Sequence, residues 1–339
     1  MSIKSTTGYF AATIWRDHGL LVHGGLSSPS SLNPSNKIVL WKSESKFKRG
    51  NLIDDKGPAL SHHGSCLCGN WLIVVGGWNG NSRTSKVWAF DLSTSSWSAL
   101  KENPNGESRV EPPVGLSGHT VTKINNGLVC IIGREGSVRM QRRFGQMFFL
   151  HLNLESKEYF YNEAPLMPDS RSGHTAQLSP SLELFVFGGR DSGSMQVYGK
   201  PVPQAVKDRP VPMKDLKRVL LEQTSLEKLK SMIGLRYHAM CILDSDSILI
   251  QGGRHFKAIT GKDINANTYL WKKEGTKEGV WYLCKHSESA PASFQIPRFA
   301  HTLIADEKGL FIFGGFKSEQ DTDGAQAAML LLAETNEIK

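Results

Sequence analysis

Four arginines, Arg134, Arg139, Arg142 and Arg143, fall within ten residues of "LVCIIGREGSVRMQRRFGQ", where an apolar run gives way to a polar one. A guanidinium is always charged and presents its N–H groups as a planar fork, so such a cluster suits carboxylates, two hydrogen bonds at a time. Further arginines keep fixed company. Arg190 and Arg254 directly follow Gly-Gly pairs, while Arg171, Arg236 and Arg298 stand two or three residues before a histidine. Five histidines recur along the chain, His63, His119, His174, His238 and His301, which raises metal ligation or acid–base chemistry.

The remaining inventory argues against an enzyme. The five cysteines contain no CxxC pair. Cys66 and Cys68 in "SCLC" would share one face of a strand, where packing accounts for them. No P-loop, GxGxxG unit, nucleophile elbow, Tyr–Cys–His copper set or repeated Asp-box is present. The histidines occupy one place in a repeating unit, which predicts one structural role repeated five times rather than a metal centre. No cofactor or metal is expected.

A repeat positions these residues. Apolar strands end in glycine pairs at "LLVHGG" (Gly24, Gly25), "LIVVGG" (Gly76, Gly77), "LFVFGG" (Gly188, Gly189), "ILIQGG" (Gly252, Gly253) and "LFIFGG" (Gly314, Gly315). "LVCIIG" reads as the sixth, with Ile132 in the first glycine slot and Gly133 in the second. Thirteen or fourteen residues upstream of five of these strand ends stands a histidine, and Phe10 replaces it in the first unit. Downstream comes another apolar strand and then an aromatic: Phe47, Trp97, Tyr159 or Trp281. Each unit holds four strands.

This pattern resembles the kelch repeat over nearly the whole chain. The resemblance implies an all-β fold, a six-bladed kelch β-propeller whose four-stranded blades surround a central channel. The blades are expected near residues 8–55, 56–112, 113–168, 169–233, 234–295 and 296–339, with residues 2–5 supplying a closing outer strand beside 327–334. Blade four departs from the pattern. Residues 199–234 read as a Pro-rich and helical insertion in or after it. Apolar positions 216, 219, 220, 226, 229 and 233 follow helical spacing, and Thr224 with Glu227 forms a capping box, so 214–233 is expected to be helical and to cover the blade's edge.

Aligning the glycine pairs puts Leu26, Trp78, Arg134, Arg190, Arg254 and Phe316 at one equivalent position. The other loop of the same rim carries Arg171, Arg236 and Arg298. The arginines are expected to encircle one channel mouth, with Arg142 and Arg143 nearby and Trp78 and Phe316 adding apolar anchor area. The alternative is that the arginines before the histidines bond backbone within their own blades. A net charge of +8 and a pI near 9.2 favour an anionic partner.

The function read from these residues is a non-enzymatic adaptor that binds an acidic protein segment at the arginine-rich rim. The family resemblance implies an intracellular scaffold, cytoplasmic or nuclear, with an A-type cyclin as partner. Two alternatives stand beside it: a substrate receptor of a cullin-type ubiquitin ligase, and an unrecognised propeller enzyme. For the ligase, no BTB or F-box element is found, and "SLEKLKSMIG" is only loosely similar to an elongin-binding helix. Nucleic acid ranks last, because no stacking-aromatic signature accompanies the basic charge. "MSIKSTTGYF" lacks the apolar core of a leader, and no membrane association is expected.

Overall fold

The computed structural model describes residues 7–15, 18–42, 50–134, 147–164, 171–190, 195–198, 218–220, 235–255, 264–274, 278–284, 297–306, 309–321 and 328–330. Among these residues every regular element is a strand, and the fold is an all-β propeller. The first sheet orders Ala11–Trp15, Gly19–His23, Ile38–Trp41 and Gly50–Asp54 from inside to outside. The second orders Gly64–Cys68, Trp71–Trp78, Arg83–Asp91 and Ser96–Ala99. The third orders Thr120–Asn125, Leu128–Ile132, Met147–Asn153 and Glu158–Glu163, and Lys101–Glu102 joins its outer edge in parallel. The fourth contains Thr175–Leu178, Leu184–Phe187, Met195–Tyr198 and Arg218–Leu220; the fifth, Ala239–Ile242, Ser247–Gln251, Thr268–Glu274 and Glu278–Cys284. The sixth has Phe299–Asp306, Gly309–Phe316 and Ala328–Leu330, and Leu235–Arg236 pairs with Arg254–His255 in a short separate ribbon. Apart from Lys101–Glu102, neighbours run antiparallel.

The continuous apolar runs of the second strands follow from burial on both faces. Side chains alternate between the faces of a strand. Leu72 and Val74 therefore pack against Leu21, Ile38 and Leu40 of the first sheet, while Ile73 and Val75 pack against Val129 and Ile131 of the third. The same division continues around the molecule. Cys130 and Ile132 meet Leu184 and Val186, Phe185 and Phe187 meet Ile248 and Ile250, and Leu249 meets Leu310 and Ile312. Phe311 and Phe313 then meet Leu20 and Val22, which joins the last sheet to the first. The chain before the first strand crosses this junction: Thr7 O accepts the amide of Gly315, and Gly8 bridges Leu26. Residues 2–5, expected to close the ring, lie outside the described residues.

The glycine pair admits the neighbouring sheet. At Gly188, φ is +67°, and a Cβ would stand 2.7 Å from His238 Cε1 and 2.8 Å from the carbonyl oxygen of Leu235. Only glycine accepts both constraints. This environment corrects the register of the third unit. Gly133, with φ of +70° and His174 Cε1 2.7 Å from its Cβ position, occupies the first glycine slot, not the second. Arg134 is therefore in the second slot, and its amide donates to Arg171 O as Gly189 N donates to Leu235 O. It is not equivalent to Arg190 and Arg254.

A second correction concerns the insertion. Arg218–Leu220, expected within a helix, is a strand paired antiparallel with Met195–Tyr198. An outer edge with unpaired N–H and C=O groups outweighs local helical spacing over three residues. The rest of 199–234 lies outside the described residues.

Candidate functional site

The residue before each repeated histidine, and Tyr9 before Phe10, lies in the left-handed region: Tyr9, His62, Gly118, Gly173, Tyr237 and Ala300, with φ between 54° and 66°. Their backbones form a closed cycle about the axis. His62 N donates to Tyr9 O, Gly118 N to His62 O, Gly173 N to Gly118 O, Tyr237 N to Gly173 O, Ala300 N to Tyr237 O, and Tyr9 N to Ala300 O, at 2.7 to 3.2 Å. Holding non-glycine residues at positive φ costs roughly 1–2 kcal/mol each, so the hydrogen-bonded cycle must over-determine them.

Their side chains cap the channel unevenly. Tyr9 and His62 stack with centroids 4.0 Å apart, and Tyr237 meets Tyr9 edge-on at 4.9 Å. The absence of side chains at Gly118 and Gly173 leaves space for Tyr237, whose ring lies 3.1 Å from a Gly173 Cβ position and whose hydroxyl lies 3.7 Å from that of Gly118. Beneath this cap, a cavity of about 130 Å³ is bounded by the cycle and by the repeated histidines.

Those histidines are buried scaffold. His119 Nε2 donates to Val75 O at 3.1 Å, His174 Nε2 lies 3.0 Å from Thr120 Oγ1, and His238 Nε2 lies 2.8 Å from Thr175 Oγ1, so each bonds the preceding sheet. His63 Nε2 lies 2.9 Å from His23 Nδ1. Burial lowers the pKa of His23 and His119 to about 4 and of His238 to about 3, with His63, His174 and His301 held well below 6.5.

The sequence-expected arginines divide into two groups. Arg171 and Arg298 are 1% exposed, and their Nη1 atoms donate to the carbonyls of Gly188 and Gly314 at 3.1 and 3.2 Å. They bond backbone within their own sheets and present no surface to a partner. Arg190, Arg236 and Arg254 are half-buried at the rim. Arg236 and Arg254 face each other across the short ribbon. The Arg236 guanidinium lies 5.2 Å from the Tyr237 ring centroid, and that of Arg254 lies 5.1 Å from Phe299's. Arg254 forms an ion pair with Glu319 and a hydrogen bond with Tyr9. Burial raises the Tyr9 pKa to about 12 against the opposing pull of Arg254.

The other expected residues scatter. Phe316 is fully buried against Tyr9 and Phe299, so it offers no anchor area. Trp78 is half-buried and its Nε1 donates to Leu32 O at 3.2 Å. Arg134 is half-buried and its Nη1 donates to Val114 O at 3.1 Å. Arg139, Arg142 and Arg143 lie outside the described residues. Sequence reasoning missed Tyr9, His62, Tyr237 and Glu319. A signal for the first three was present, because glycine at 118 and 173 marks a position that needs positive φ in every unit.

A model of the Attractin/LZTR1 β-propeller family matches residues 20–324. The chain is similar to kelch domain-containing protein 9 of Mus musculus, at 30% identity over 318 residues, spanning 91% of this chain and 87% of that protein. The Homo sapiens protein of the same name is 29% identical over 316 residues. Adagio protein 3 of Arabidopsis thaliana is 24% identical over 213 residues, or 55% of this chain and 32% of that protein. The chain described as "Structure of YjhT" superposes with a TM-score of 0.64 at 14% identity, covering 97% of this chain and 95% of that one, a likeness of fold alone.

Proposed function

We infer a function from one premise, that the chain belongs to the Attractin/LZTR1 β-propeller family: it is a non-enzymatic interaction scaffold. It acts as an intracellular adaptor that holds an acidic protein segment on the face bearing Arg190, Arg236 and Arg254. The reading takes the ring as six blades, in keeping with the six-membered backbone cycle and the junction of Phe311 and Phe313 with Leu20 and Val22. The A-type cyclin partner rests on likeness to kelch domain-containing protein 9.

One observation carries the site. Arg254 already holds a carboxylate, that of Glu319, which is 52% exposed and therefore open to exchange. A partner's acidic residue would replace Glu319 on a guanidinium already oriented by Tyr9 and Phe299. Charge-assisted hydrogen bonds contribute roughly 1.5–3 kcal/mol, so losing Arg254 should weaken binding by about ten- to a hundredfold. The test is copurification from cells with partner identification, followed by affinity measurement on Arg254→Ala, Arg190→Ala and Glu319→Gln. The reading expects the arginine variants to weaken binding, Glu319→Gln to strengthen it, and added salt to weaken it. Undiminished affinity in both folded arginine variants would retire the site.

A further inference from the structure

Away from the axis, this face carries a strip of exposed apolar side chains on rigid supports. Val114 is 83% exposed and Leu32 is 67% exposed. Exposure on a floppy loop would mean little, but both loops are pinned. Around Val114, Ser85 Oγ bonds Pro113 O, Gly115 N donates to Ser85 Oγ at 2.9 Å, and Leu116 N donates to Thr84 O at 3.1 Å. Leu32 is tied by its carbonyl to the Trp78 indole, and nearby Ser35 N donates to Gly25 O at 2.8 Å.

These residues are contiguous. Trp78 links the strip to Leu32 on one side and stands opposite Arg83 on the adjacent strand. The Arg83 Cβ lies 3.3 Å from a Gly115 Cβ position, next to Val114, and Arg134 bonds Val114 O from the third sheet. The order across the first three sheets is thus Leu32, Trp78, Arg83, Val114 and Arg134, with arginine interleaved among the apolar side chains. The nearby Glu111 carboxylate is met by Arg109. Pre-organised apolar residues beside arginine are the composition of a binding hot spot, because little ordering remains to be done on contact.

We propose that Leu32, Trp78 and Val114, interleaved with Arg83 and Arg134, form a docking strip for an extended peptide in which bulky apolar residues alternate with carboxylates. This deepens the scaffold reading: the strip selects apolar residues beside the acidic ones, at a place distinct from Arg254.

The test is fluorescence anisotropy on the full chain with a short labelled peptide alternating leucine and glutamate. Controls replace its leucines by serine or its glutamates by lysine. The expected result is binding of the leucine–glutamate peptide, with both controls weaker by about tenfold or more. Leu32→Ser with Val114→Ser should cost a similar factor while leaving the melting temperature unchanged, since both side chains are exposed. Unaltered affinity in that double variant, or no binding of the leucine–glutamate peptide, overturns the strip. So does a concentration-dependent dimer, seen by sedimentation, that the double variant abolishes, because a second copy would then be the occupant. Arg254→Ala separates this inference from the proposed site. If it leaves binding intact while the double variant abolishes it, the strip stands independently of the axial site, which is judged by the partner affinities of its own arginine variants. If Arg254→Ala abolishes binding and the double variant leaves it intact, the axial site stands and the strip falls.

Discussion

His238 Cε1 lies 2.7 Å from the point where a Cβ on Gly188 would stand, so a histidine of the fifth sheet occupies the volume that a glycine of the fourth leaves empty. The same relationship couples His63 to Gly24, His119 to Gly76, His174 to Gly133 and His301 to Gly252, while Phe10 takes the part against Gly314. The two signatures of the repeat are two halves of one contact between neighbouring units.

Gly188→Ala is therefore expected to destabilise the protein by about 2–4 kcal/mol. It places an L side chain at positive φ, and it drives that side chain into both an imidazole and the backbone of Leu235. Thermal unfolding measures this directly. A shift no larger than that of an exposed-glycine control such as Gly69→Ala, which shares a positive φ but has nothing within 4 Å, would show that backbone strain alone accounts for the cost.

Buried neutral histidines also set the response to acid. The folded-state pKa values of His23 and His119 are lowered to about 4 and that of His238 to about 3, from 6.5. The unfolded chain then binds more protons than the folded one as pH falls below 6.5, so stability is complete above that pH and is lost progressively below it. Each such histidine removes about 1.4 kcal/mol by about pH 5.5. Denaturant melts at a series of pH values should show the midpoint falling steeply in this window. Replacing His119 by Gln should flatten the slope, even at some cost in stability at neutral pH.

The arginines divide by what they touch. Arg298 is buried with its Nη1 on Gly314 O, and burial lowers its pKa to about 10, so it remains charged at neutral pH. Arg298→Ala should cost about 2–4 kcal/mol, since it strips a charge-assisted bond from a buried carbonyl and leaves a void. Arg190→Ala at the half-buried rim should cost less than about 1 kcal/mol. Paired melting curves check the contrast, and equal losses would mean that Arg190 is scaffold as well.

Much of this was readable from residue types. Glycine pairs and histidines at thirteen- or fourteen-residue spacing identified the unit because a steric requirement leaves little choice of residue. The same looseness of spacing misplaced the third unit, where Ile132 and Gly133 satisfy the pattern in either register and only the His174 contact decides. The place of Arg171 and Arg298 before a histidine already suggested backbone bonding, but Arg236 shares that place and lies half-buried at the rim, because exposure depends on where the side chain turns. Leu32 and Val114 gave no signal, since exposure of an apolar residue is a property of the surrounding loops. Arg218–Leu220 went to strand because Met195–Tyr198 offers a partner that the local helical pattern does not register.

Closure of the ring makes the last prediction. Phe313 is 1% exposed and meets Trp41 edge-on at 4.8 Å, in the cluster joining the last sheet to the first. Phe187 is fully buried at an internal junction between the fourth and fifth sheets. In an open array a terminal junction can fray independently, so a void there costs less and broadens the transition. In a closed ring there is no terminal junction. Phe313→Ala and Phe187→Ala should then each cost about 3–5 kcal/mol, with a single cooperative transition in both. Circular dichroism and tryptophan emission, which includes Trp41 beside the closing junction, should report the same midpoint. An early emission change in Phe313→Ala, ahead of the loss of sheet signal, would mean that the junction opens on its own and that the ring is not one cooperative unit.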